Sequence, residues 1–67
     1  MLDDYRTAYV HRLNNCWLVY RPVSRYGRES KGRQFLTIEE VDEAVAAIKQ
    51  EAKDGGWSVS VSYDTVP

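Results

Sequence analysis

Residues 37–63, TIEEVDEAVAAIKQEAKDGGWSVSVSY, read as one helix, one stop and one strand. Thr37 followed three residues later by Glu40 is a capping box, in which each side chain satisfies a backbone N–H that a helix start leaves without a partner. Ile38, Val41, Val45, Ile48 and Ala52 recur at intervals of three and four. At 3.6 residues per turn they form one apolar stripe on a helix that runs to about Lys53. Glu39, Glu40, Asp42 and Glu43 crowd its early turns, where the helix dipole favours negative charge. Gly55-Gly56 ends it by supplying a left-handed C-terminal residue. The period then changes to two: Trp57, Val59, Val61 and Tyr63 alternate with Ser58, Ser60 and Ser62, giving a strand with one buried and one wet face. A helix with one apolar stripe needs a sheet to lie on.

The other strands lie upstream. Tyr5–Leu13 and Cys16–Arg21 are rich in aromatic and branched residues and flank Asn14-Asn15, a pair that tolerates the positive φ of a two-residue type I′ turn. That hairpin sets Leu13 against Cys16, His11 against Leu18 and Tyr9 against Tyr20 on one side. Arg12-Trp17, Val10-Val19 and Ala8-Arg21 fall on the other. Pro22 cannot donate to a ladder, so the second strand ends there or continues as an edge toward Arg25. The stretch from Tyr26 to Gly32 suits a mobile connection to a short third strand, Arg33–Leu36. The expected fold is α+β: a single domain over residues 1–67, ordered β-β-β-α-β, with a mainly antiparallel sheet packed on one helix in two layers.

A chain of 67 residues buries only about 60% of the surface its unfolded form exposes, so it holds one core and little spare stability. Cys16 is the only cysteine and His11 the only histidine, which excludes an intrachain disulfide and a closed zinc site. No apolar run approaches the roughly 20 residues of a membrane span and no export signal is visible, so the expected compartment is the cytoplasm, without membrane association. A nucleophilic cysteine needs a base, and although His11 and Cys16 share a face in the hairpin register, packing explains both. The loop glycines Gly27 and Gly32 lack the lysine and hydroxyl order of a phosphate loop. The chain therefore reads as a binding protein and not an enzyme, with no cofactor and no metal.

Two surfaces suggest what binds. One helix covers one face of a sheet: packing on Val10, Trp17 and Val19 leaves Tyr9, Leu13, Cys16, Leu18 and Tyr20 on the other, as a contact surface or a seat for a second copy, and the reverse packing leaves Trp17 uncovered instead. Residues 21–33 hold five cations with Tyr26 among them. Their forks suit phosphate or carboxylate. Tyr9, Leu18, Tyr20, Arg21, Arg25, Tyr26, Arg28, Lys31 and Arg33 are thus the candidate partner-binding residues. Charge is unevenly spread: residues 1–36 carry seven cations against three acids, a balance of +4, and the remainder two against seven, a balance of -5.

Trp17-x-Val19-x-Arg21, Gly27-Arg28 and Phe35-x-Thr37-x-Glu39-Glu40 followed by an apolar helix resemble, over residues 16–48, the arm-type DNA-binding domain of phage and transposon tyrosine integrases. That resemblance implies a three-stranded sheet on one helix with its free face laid in the DNA major groove. Leu18 and Tyr20 stand where a DNA-facing strand would be basic. The size and element plan also look like small phage-encoded regulators such as anti-CRISPR proteins. A third likeness is to the peptidoglycan-binding sporulation-related repeat, whose β-α-β run ends in a glycine before a strand. The expected function is a phage or mobile-element type regulator or inhibitor that docks on a host protein or complex through the aromatic face and the arginine loop. The alternative is a nucleic-acid-binding module that sets Arg12, Arg21, Arg25, Arg28, Lys31 and Arg33 against phosphates. Homodimerisation is a separate expectation.

Overall fold

The hairpin forms in the expected register and makes the centre of the sheet. The computed structural model describes residues 4–65, so Asp3, counted in the charge balance above, lies outside the described residues. In chain order the elements are β1 (Tyr5–Arg12), β2 (Trp17–Tyr20), β3 (Pro22–Ser24), β4 (Gly27–Arg28), β5 (Arg33–Phe35), α1 (Ile38–Gly55) and β6 (Ser58–Thr65). β1 and β2 pair antiparallel with Tyr9 opposite Tyr20, Val10 opposite Val19, His11 opposite Leu18 and Arg12 opposite Trp17. The Leu13 N–H donates to the Cys16 carbonyl at 2.8 Å across the turn. No described residue other than glycine has a positive φ, so Asn14-Asn15 do not make the type I′ turn expected of them. The strands stop at Arg12 and Trp17, and a four-residue connection reverses the chain without left-handed residues.

The main sheet has the order β5-β2-β1-β6. β5 adds antiparallel to β2, with Phe35 beside Trp17 and Arg33 beside Val19. The chain then crosses the sheet through α1 and returns as β6, parallel to β1 along the whole length of both strands. The molecule is an α+β domain with one helix on a mainly antiparallel sheet. It departs from the expected plan after β2: β3 lies where the second strand was expected to end or to continue as an edge, β4 lies in the stretch expected to be a mobile connection, and the two form a separate two-stranded ladder.

The helix packs on the face that carries Ala8, Val10 and Val19, which with Val41, Val45 and Ile48 form the buried core. Trp17, Phe35, Trp57, Val59 and Val61 flank it. Burying each of Val10, Val19 and Val41 fully contributes roughly 1.5–3 kcal/mol. The apolar stripe is shorter than its spacing predicted. Ile38, the first helical residue, is 43% exposed, and Tyr63, at the sheet edge on the same side as Val10, is 61% exposed.

Both helix ends are capped. The Thr37 hydroxyl accepts from the Glu40 N–H at 3.2 Å and donates to the Glu40 carboxylate at 3.1 Å, so the box closes side chain to side chain. At the other end Gly56 takes φ 75°, ψ 27°, and the Trp57 N–H returns to the Ala52 carbonyl at 3.0 Å. The Trp57 indole lies on Gly55, where a Cβ would stand 2.6 Å from its Nε1. The Arg6 guanidinium covers the same ring at 4.5 Å while its Nη2 donates to Asp4 at 2.9 Å. That hydrogen bond holds the Asp4 carboxyl below its ordinary range and raises the guanidinium in return. Among the described residues, no helix is long and apolar enough to cross a membrane.

Candidate functional site

The sheet face opposite the helix is not left open. After β2, Pro22 turns the chain so that β3 and β4 fold back across β1, and the Glu29 N–H fastens the far end of this hairpin to the Arg21 carbonyl at 2.8 Å. Its turn is pinned by the Ser24 hydroxyl, which accepts from the Tyr26 N–H at 3.2 Å. Arg28, at the end of β4, reaches down to the sheet. Its guanidinium stands 4.2 Å from the Tyr20 ring centre and 4.7 Å from that of Tyr9, a planar cation over two negative π faces. Arg28 thus covers Tyr9 and Tyr20, which are half-buried; Leu13 and Leu18 are half-buried as well, and Cys16 is buried. The expectation of a bare aromatic face is corrected accordingly: a second short layer covers its two tyrosines.

Between this layer and the sheet runs a cleft of about 400 Å³. Thr7, Tyr9, His11 and Asp64 line it from the sheet, and Ser24, Arg25, Tyr26, Gly27 and Arg28 from the hairpin. The floor is built by alternation, since every second residue of β1 points away from the helix. The parallel register of β6 brings Asp64 beside His11. The His11 Nε2 lies 3.3 Å from Arg28 Nη1 and 3.9 Å from the Asp64 carboxylate, and its ring meets Tyr20 edge-on at 5.3 Å. The Arg28 guanidinium only donates and the Asp64 carboxylate only accepts, so Nε2 stands between a donor and an acceptor. Tyr26, 88% exposed at the hairpin tip, carries Arg25 over its ring at 5.4 Å.

The structure gathers some of the candidate residues and separates others. Tyr9, Arg25, Tyr26 and Arg28 meet at the cleft, Tyr20 lies under Arg28 beside it, and Leu18 shares the face of Tyr20. Arg21 and Arg33 go to the opposite side of the sheet, where Arg21 pairs with Glu51 of the helix and Arg33 lies 5.9 Å over Phe35. Arg12 lies 5.7 Å from the Trp17 ring, on that same helix side. Lys31 is exposed. His11, Asp64, Thr7 and Ser24 belong to the cleft but were not among the expected binding residues. For His11 and Thr7 the signal was present, because both share the parity of Tyr9 along β1. No three His, Cys, Asp or Glu side chains among the described residues stand close enough to hold a metal ion. The chain matches no protein-family model, no curated protein and no solved structure.

Proposed function

We propose that this protein acts by binding, gripping an acidic segment of a partner protein in the cleft beneath the β3–β4 hairpin. The observation that carries this reading is Arg28, whose guanidinium lies over the Tyr9 and Tyr20 rings at 4.7 and 4.2 Å with its Nη1 3.3 Å from His11 Nε2. A pre-positioned guanidinium loses little conformational freedom when it meets a carboxylate, so its contact converts efficiently into affinity. Arg25 and Tyr26 at the hairpin tip add a second cation and an exposed ring, the residue types that anchor protein interfaces. Such a docking module fits a regulator or inhibitor of the phage or mobile-element kind, with a host protein or complex as its target.

The test is capture from lysate of the native host by the wild-type protein and by a folded Arg25→Glu/Arg28→Glu variant, each with and without nuclease. Nuclease-resistant capture that the variant loses by tenfold or more is the expected result. Capture that nuclease abolishes would replace the acidic protein by nucleic acid, and capture that the variant retains would remove the cleft from the interaction.

A further inference from the structure

β6 is an edge strand eight residues long, and its outer side has no pairing partner among the described residues. Sheet edges in native proteins are guarded by lysines, prolines, bulges or shortness. β5, the opposite edge, is short at three residues. β6 has no such guard: between Ser58 and Thr65 there is no lysine and no proline, its register with β1 is unbroken, and Asp64 is its only charge.

The direction of its free groups follows from one bond. The Ser58 N–H donates inward to the Asp4 carbonyl, so Ser58, Ser60, Ser62 and Asp64 turn their backbone toward β1. Val59, Val61 and Tyr63 turn their N–H and C=O groups outward. The sequence of the strand is nearly symmetric about Val61: valine and tyrosine stand two residues to either side, with serine on both sides between. We propose that β6 pairs antiparallel with β6 of a second copy of this chain about a two-fold axis at Val61.

In that register Val61 meets Val61 of the second copy, and Val59 meets Tyr63, as pairs that exchange both N–H···O bonds. Ser60 meets Ser62 and Ser58 meets Asp64 on the other face. The two-fold stands perpendicular to the sheet, so both helices lie on one side of it and both clefts on the other. Tyr63, 61% exposed in the single chain, gains a β-branched neighbour, a favourable cross-strand pair. The net charge of -1 sets little repulsion between copies. A second copy satisfies every one of these pairings at once, whereas an arbitrary strand would match the apolar and serine rows only by chance.

Sedimentation velocity across the micromolar range tests this with two double variants on the solvent side of β6. Wild type is expected to sediment as a dimer. Ser60→Lys/Ser62→Lys sets lysine against lysine twice in this register and is expected to weaken the dimer at least about tenfold. Ser60→Lys/Ser62→Glu sets lysine against glutamate and is expected to restore it. Circular dichroism like that of wild type shows that each variant has folded. A monomeric wild type overturns the proposal. So does a folded lysine–lysine variant that dimerises as well as wild type, or a lysine–glutamate variant that stays monomeric.

Discussion

Gly32 lies against Tyr20 and Leu18. A Cβ there would stand 2.9 Å from Tyr20 Cζ, 3.0 Å from Tyr20 Cε1 and 3.1 Å from Leu18 Cβ. The tyrosine ring can swing away, but the Leu18 Cβ is fixed to the strand. Gly32→Ala therefore pushes Tyr20 from beneath Arg28 or displaces the end of β2. Overpacking of this kind costs about 1–3 kcal/mol, to be read as a lower urea midpoint. Tyr20 ring resonances should shift while those of Trp17, on the other face, stay in place. Gly27 provides the control, since its nearest neighbour would be the Val23 side chain at an ordinary 3.6 Å. Gly27→Ala should change stability by no more than about 0.5 kcal/mol. The contrast matters for function because Tyr20 helps hold Arg28, and a displaced ring loosens the guanidinium without touching any charge.

At the scale of elements, the helix owes its start to one side chain. Thr37→Ala removes the acceptor for the Glu40 N–H and the donor to the Glu40 carboxylate, and should lower the stability of the whole domain by about 1 kcal/mol. Thr37→Ser keeps both bonds and should recover most of it in the same urea titration. This cap was legible in the sequence, as were the β1–β2 register and the stripe through Val41, Val45, Ile48 and Ala52, because each rests on residues a few positions apart. What the sequence did not show depends on distant partners. Pro22 and Gly27 read as interruptions, and β3 and β4 are too short to display a period; their ladder is held by Arg28 against Tyr9 and Tyr20. Likewise His11 could be assigned to the helix-free face from parity alone, but its neighbour Asp64 became visible only once β6 lay parallel to β1. Half of the site is thus local pattern, and half is a consequence of strand order.

For the molecule as a whole, the decisive feature is how the sheet divides the cations that cluster in the first half of the chain. Arg6, Arg12, Arg21 and Arg33 lie on the helix side, against Trp57, Trp17, Glu51 and Phe35 respectively. Arg25 and Arg28 lie on the cleft side. A ligand seated in the cleft meets only the second set, because at physiological ionic strength charges more than about 8 Å away are largely screened. A nucleic-acid backbone wrapped around the domain would meet both sets, and each phosphate contact would steepen the fall of affinity with salt. Arg12→Gln/Arg33→Gln should therefore leave partner capture, and its dependence on salt between 50 and 200 mM (roughly the range over which phosphate contacts reveal themselves), unchanged. Neutralising Arg25 and Arg28 should flatten that dependence as well as weaken capture. Equal losses from the two pairs, each with a shallower salt slope, would mean that the ligand is long, anionic and in contact with both faces, and the cleft would then be one part of a larger electrostatic surface.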